Sequence, residues 1–194
     1  MFFKDEAIIL RKSIIWEKDI SITVYMKKRG KENIYIQNGA LLKSPYISIT
    51  EPFNIFKGVF YIKKDSVFIQ EVERYKNLAI LIAKDIEIFK TGFEIINIFN
   101  RYIIYQDEKI YILLKKTFYY LSLSKNPKMI KLAFLIKLVY LSGIFPNNLK
   151  NLNWNYVLKI KNSPFKEIEK FNIPNINQYI KAFENYLSEY FSSS

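Results

Sequence analysis

Positively charged residues crowd the ends of short alternating segments in the first 64 residues of the chain. A lysine or arginine placed there can hold a phosphate, and a tyrosine on the same face can stack on a nucleobase. Tyr25 and Tyr35 share such a face with Lys27 around a glycine-bearing turn. The candidate residues for this chemistry are Arg11, Lys27, Lys28, Arg29, Lys31, Tyr35, Lys43, Ser44, Lys57 and Lys63. They predict a groove for single-stranded nucleic acid, and the alternative is a solvated face whose tyrosines only favour β-structure.

The overall charge also favours a polyanionic partner. The chain has 30 Lys and Arg against 18 Asp and Glu, a formal net charge of +12. Such an excess suits DNA, RNA or an anionic membrane surface.

The residue types that are missing restrict the possible chemistry. The chain has no cysteine and no histidine. This excludes disulfides, Cys or His metal ligands, and Ser-His-Asp or Cys-His catalysis. The carboxylate pairs Glu71 with Glu73 and Asp85 with Glu87 lack the spacing of a two-metal nuclease, and the second pair suits a helix start. We therefore predict a non-enzymatic protein with no catalytic residue, no metal and no cofactor.

The first 77 residues are predicted to form a small β-barrel. Alternation of apolar and polar residues predicts strands over residues 6–12, 20–28, 33–38, 55–63 and 67–74. Lys57, Tyr61 and Lys63 share one face of the fourth strand. Residues 39–52 lack a period and are predicted to form a loop, in which Lys43 and Ser44 can contact phosphate oxygens. Five short strands with one long irregular connection are typical of an OB-type barrel.

The rest of the chain is predicted to be helical, which makes the fold class α+β with a barrel domain over 1–77 and an all-α domain over 78–194. Helices are predicted over residues 78–105, 107–123, 127–143 and 175–191, with 147–174 irregular and 192–194 a loose end. Asp107 is an expected helix cap, and Pro127 suits the first position of its helix. Trp154 and Phe165, in the irregular stretch, are expected to pack on the helices.

The helix over 127–143 has an apolar stripe beside lysines. Lys131, Phe134, Lys137 and Leu138 can therefore hold a short partner peptide, although the pattern also fits an ordinary core-facing helix. Its apolar run over 132–145 is too short to span a membrane. The first 12 residues lack the features of a signal peptide, so we expect a cytoplasmic protein with no membrane contact.

Several short motifs resemble the RecO family of recombination mediators. The family opens with an Ala-x-Val-Leu strand, follows it with a Glu-x-Asp step and a glycine after a charged strand end, and has a basic loop with a Lys-Ser pair. It also has a Leu-rich helix closed by Gly-aromatic-x-Pro, matched here by 134–146 with Ile144 and Phe145 in exchanged order. The other matching residues are Ala7 to Leu10, Glu17 to Asp19, Lys28 to Gly30, Gly39, Ala40, Lys43, Ser44, Pro52 and Phe53.

The resemblance implies a barrel-then-helices protein of recombinational repair, associated with the nucleoid. Such proteins bind single- and double-stranded DNA, anneal complementary strands, engage the C-terminal tail of single-strand-binding protein, and with RecR promote loading of RecA. By position, Lys28, Arg29, Lys43 and Ser44 would face DNA, and no small-molecule substrate is implied. Many relatives carry a four-cysteine zinc module after the position of Pro146, which this chain lacks.

Three other functions are consistent with the residues alone. An RNA-binding OB-fold protein would use the same lysines and tyrosines. A metal-dependent nuclease would need oxygen ligands only, and a scaffold would use the charge for solubility.

Overall fold

The computed structural model describes residues 1–192 and has five strands followed by helices. The strands are β1 (Phe2–Ile15), β2 (Asp19–Met26), β3 (Gly30–Ile36), β4 (Ile55–Lys63) and β5 (Ser66–Lys76). They close into a barrel in the order β1-β2-β3-β5-β4, with β4 also paired to β1. All neighbours are antiparallel except β3 and β5, which meet in parallel at Ile34 and Val67. The predicted OB-type barrel followed by helices is confirmed.

Alternating apolar side chains fill the barrel. Ile20, Ile22 and Val24 point inward from β2 and are fully buried, as the period of two predicts. β1 is longer than predicted, and a shift in register between Ile9 and Arg11 bends it. Its first half pairs with β4 and its second half with β2, which lets five strands close around one core.

Two tight turns set the strand register. Trp16, Glu17 and Lys18 join β1 to β2, with positive φ at the first two, and Lys64 and Asp65 join β4 to β5, with positive φ at both. Two successive left-handed residues match the right-handed twist of the strands they join. Gly58 on β4 allows a close approach to the neighbouring strand, because a Cβ atom there would lie 2.3 Å from the Glu71 carbonyl oxygen.

Seven helices follow within residues 1–192: α1 (Ala79–Ile82), α2 (Ile86–Tyr102), α3 (Glu108–Leu121), α4 (Pro127–Leu141), α5 (Trp154–Asn162), α6 (Phe165–Ile168) and α7 (Ile176–Ser192). The prediction of one helix over 78–105 is wrong. The Asp85 carboxylate accepts hydrogen bonds from the amides of Glu87 and Ile88, and so starts a separate helix. The predicted cap at Asp107 and the first helical position of Pro127 are confirmed, and Asn126 caps the helix that Pro127 begins.

Residues 147–174 are more regular than predicted. Asn153 caps α5 through its side chain, and Val157 and Ile160 are buried. Phe165 and Ile168 are buried on α6. Four apolar residues at helical spacing are thus enough to pack two short helices within this polar, Asn-rich stretch. The packing predicted for Phe165 is confirmed, whereas Trp154 is only partly buried and contacts Phe145. The predicted loose end falls mostly on residues 193–194, outside the described residues.

Helix α4 lies at the centre of the helical unit. Eleven of its 15 residues are buried, and it packs against α2, α5, α6 and α7. The core-facing helix, given as the alternative to a peptide-binding stripe, is the interpretation that the structure confirms, because most side chains of α4 are buried. In residues 1–192 every helix is too short or too polar to cross a bilayer.

The chain divides into two compact units. The first comprises Met1–Ala83 and Ile104–Tyr111, and the second comprises Lys84–Ile103 together with the described residues from 112 onward. Residues 104–111 thus belong with the barrel. The domain boundary after residue 77 stays a prediction.

Candidate nucleic-acid interface

A row of aromatic side chains crosses the outer face of the barrel. In the strand register Tyr61 on β4 lies opposite both Phe68 on β5 and Phe2 on β1. The Tyr61 and Phe68 rings are stacked with centroids 5.1 Å apart, and the Phe2 ring lies 5.9 Å from Tyr61. Tyr35 extends the row onto β3, because Ile34 pairs with Val67 and the next residue of each strand points outward.

The row borders an open hollow of about 280 Å³. Its lining residues are Tyr35, Ile36, Gln37, Tyr46, Tyr61, Phe68 and Ile69. Four of these seven are aromatic, and they come from three strands and the 37–54 connection. The hollow is therefore built by the closed barrel and not by any one segment.

Tyr35 is held in a fixed orientation. The residue is 44% exposed, while its hydroxyl donates a hydrogen bond to the Asp19 carboxylate. This bond, aided by the Asn38 amide, lowers the pKa of Asp19, and it raises the pKa of Tyr35. Because its hydroxyl is fixed, the exposed Tyr35 ring is preorganised for contact with a ligand.

Four of the predicted cations are exposed and have no ion-pair partner within residues 1–192. They are Arg11, Lys28, Lys43 and Lys63. Lys63 stands two residues beyond Tyr61 on β4, at the strand end next to the hollow. Cations of this kind are available to phosphates because no carboxylate has to be displaced.

Other predicted cations are already neutralised. Lys27 binds Glu108 at 2.9 Å, a hydrogen bond that raises the pKa of Lys27. Arg29 binds Glu32 at 2.9 Å and stacks over Phe3. Each of these cations would exchange an existing partner for a phosphate.

Lys57 and Lys31 are also poorly placed. Lys57 lies 3.6 Å from Glu73, which also binds Lys4. It is six residues from Lys63 on the same strand, about 20 Å away. Lys31 is partly buried, and burial lowers its pKa. The ten predicted residues thus form several groups on the barrel and not one continuous patch.

Ser44 has a structural role within the connection between β3 and β4. Its hydroxyl oxygen accepts a hydrogen bond from the Tyr46 amide, and its own amide bonds to the Leu41 carbonyl. The 39–52 connection is irregular, as predicted. Ser44 thereby helps to set the position of Tyr46, which lines the hollow.

The expectation that Tyr25 is an outward stacking residue is wrong. Its side chain points out of the barrel but is fully buried beneath residues 104–111. The Tyr25 hydroxyl donates to the Tyr105 carbonyl and accepts from the Asp107 amide, and its ring stacks on Tyr111. Burial raises the pKa of Tyr25 to about 12.

The predicted peptide-binding residues do not form an exposed surface. Phe134 and Leu138 are fully buried in α4. Burial opposes the charge on Lys131, but the hydrogen bonds that its ammonium donates to Glu184 and Glu94, each at 2.7 Å, outweigh burial and raise its pKa. The Lys137 ammonium donates to the carbonyls of residues 161 and 163, and burial lowers its pKa.

Carboxylates do not gather into a catalytic group. Glu73 is engaged by lysines, and Asp85 and Glu87 lie at the start of α2 as predicted. Among the residues described, no three acidic side chains lie close enough together to hold a metal ion.

The sequence prediction missed Phe2, Tyr46 and Phe68. Phe68 could have been found, because the alternation in β5 and the two-residue turn place it opposite Tyr61. No sequence pattern indicated Tyr46, since it lies in an irregular connection whose path depends on the closed barrel.

Comparisons with known proteins give a consistent picture. No protein-family model matches the chain. It is 26% identical to the DNA repair protein RecO of Caldanaerobacter subterraneus subsp. tengcongensis over 148 residues, which are 75% of the chain and 60% of that protein. It is also 26% identical to the DNA repair protein RecO of Thermoanaerobacter sp. over 149 residues, 74% of the chain and 58% of that protein. The chain spans about three fifths of the length of these relatives. With the OB-type barrel and the helices that follow it, these matches make the chain a RecO-like protein.

Proposed function

We propose that the barrel binds DNA and that the protein acts as a non-enzymatic recombination mediator in DNA repair. One observation carries the proposal: Lys63, which has no ion-pair partner within residues 1–192, stands at a strand end beside an aromatic hollow of the barrel. The likeness to two DNA repair proteins named RecO supports it.

The arrangement suits strand binding and annealing. Cations that contact phosphates release condensed counterions and reduce the repulsion between two strands. Exposed rings hold bases without reading their sequence, because every base has a π-face. Annealing breaks no covalent bond, so cations and rings supply the chemistry that it needs.

The partners of the proposed role follow from the RecO likeness. We propose contacts with the tail of single-strand-binding protein and with RecR, and through them the loading of RecA. A tail-binding site on the helical unit would use side chains other than Phe134 and Leu138, because both are fully buried.

DNA binding is tested by titrating labelled single-stranded and duplex oligonucleotides at several salt concentrations. Four phosphate contacts give a slope of log affinity against log salt of about −3 on single strands and about −4 on duplex. A flat response would contradict binding through these cations.

Two further assays address the other parts of the proposal. Annealing of complementary strands coated with single-strand-binding protein, with and without its tail, tests the mediator role. Competition with matched RNA separates the RNA-binding alternative, and incubation with Mg²⁺ or Mn²⁺ tests for nuclease activity, where we expect no cleavage.

A further inference from the structure

The aromatic hollow has the features of a site for a single nucleobase. We propose that it accepts one unstacked base and so makes the barrel selective for single-stranded over duplex DNA, an inference that rests on the proposed DNA binding. At about 280 Å³, the hollow lies just below the range of drug-sized ligand sites, which starts at about 300 Å³. It therefore suits one ring system and not a larger ligand.

The walls of the hollow supply stacking surfaces. The Tyr61 and Phe68 rings are nearly parallel, with an interplanar angle of 16° and centroids 5.1 Å apart, and Tyr35 and Tyr46 also line the hollow. Tyr35 keeps its ring fixed through Asp19. A base entering the hollow would meet rings that are already positioned, so little side-chain entropy is lost on binding.

The hollow also has polar groups without partners. Within residues 1–192 the hydroxyls of Tyr46 and Tyr61 and the carboxamide of Gln37 make no hydrogen bond. An aliphatic side chain would leave these groups unsatisfied. A nucleobase presents both a π-face and an edge of donors and acceptors, and so matches both kinds of group.

Charge beside the hollow favours a polyanionic strand. Lys63 and Lys64 are exposed and follow Tyr61 into the turn between β4 and β5. In a single strand the phosphates flanking an inserted base can reach these lysines. In a duplex the bases are stacked and paired, so entry would require unpairing, which costs a few kcal/mol.

The test compares a short oligothymidine with the same backbone carrying abasic sugars. The two probes have equal charge and differ only in their bases. We expect the unaltered protein to bind the abasic probe at least about fivefold more weakly. Phe68→Leu should bind both probes alike, and its duplex affinity should not change. Tyr75→Leu removes an exposed ring from the far end of β5 and should behave like the unaltered protein.

The outcomes separate this inference from the proposed function. If the unaltered protein binds neither probe nor duplex, the proposed DNA binding fails. If it binds both probes equally with a steep salt dependence, DNA binding stands and the base site is overturned. Full retention of the base preference in Phe68→Leu also overturns it. Should Phe68→Leu lower the melting temperature strongly, Tyr61→Leu removes the adjacent ring of the same stack, and the same outcomes decide.

Discussion

Removing the unpaired cations should change the salt dependence of DNA binding more than removing paired ones. We consider the triple variant Lys28→Ala, Lys43→Ala and Lys63→Ala. All three side chains are exposed and none has an ion-pair partner within the described part of the chain. Their loss therefore breaks no ion pair in that part of the chain, and only Asp5 loses a favourable nearby charge, that of Lys28.

The expected magnitude follows from the number of phosphate contacts. Each contact contributes about 0.7 to the slope on single strands, so the variant should lose about 2 of a slope near −3. Raising salt fourfold would then weaken the unaltered protein about 50-fold and the variant about threefold. Fluorescence anisotropy with a labelled oligonucleotide measures both values.

A second triple variant controls for net charge. Lys4→Ala, Lys27→Ala and Lys57→Ala also remove three charges, but each lysine is held by Glu73 or Glu108. Since exposed ion pairs contribute little to stability, both variants should fold. Equal loss of slope in the two variants would refute the assignment, because total charge and not position would then govern binding.

Three further predictions concern the supports of the fold. Because the folded state lowers the pKa of Asp19, its carboxylate stabilises the barrel above the unfolded-state pKa near 4, and this stability is lost as pH falls through the folded pKa. The urea midpoint of Asp19→Asn should therefore fall less steeply on acidification than that of the unaltered protein. Identical pH profiles would exclude the Tyr35 bond as the cause. Phe134→Ala should lower the free energy of unfolding by about 3–5 kcal/mol, since the ring is fully buried; a loss near zero would mean that α4 is not a core helix. Gly58→Ala should cost about 3 kcal/mol because its Cβ would meet the backbone oxygen of Glu71, and an unchanged melting temperature would contradict that close approach.

Local patterns predicted the elements of the barrel well. Alternation in β2 and β4 determines which side chains point inward, because a shift of one residue would expose the whole apolar set. Caps such as Asp107 and Asn126 act within three residues, so they are also visible in the sequence. The break between α1 and α2 was not predicted because apolar periodicity continues across it, although Asp85 and Glu87 suit a helix start.

The candidate site was less predictable because it depends on distant contacts. Tyr25 alternates outward as predicted, yet residues about 80 positions later cover it. Lys57 is less available to a phosphate than predicted, because Glu73 on the neighbouring strand pairs with it. Sequence spacing shows which face a residue occupies, but it does not show what a remote segment places on that face.

Net charge therefore does not locate the interface; the distribution of carboxylates does. Glu73, Glu108 and Glu32 each neutralise cations on the barrel. The potential that remains comes from unpaired groups, and Lys63 is the one whose strand position places it next to the hollow. A strand drawn to such a cation would bring its bases to exposed rings, whereas a duplex would bring only phosphates. Selection between the two forms of DNA thus depends on the rings, and attraction of either depends on the lysines.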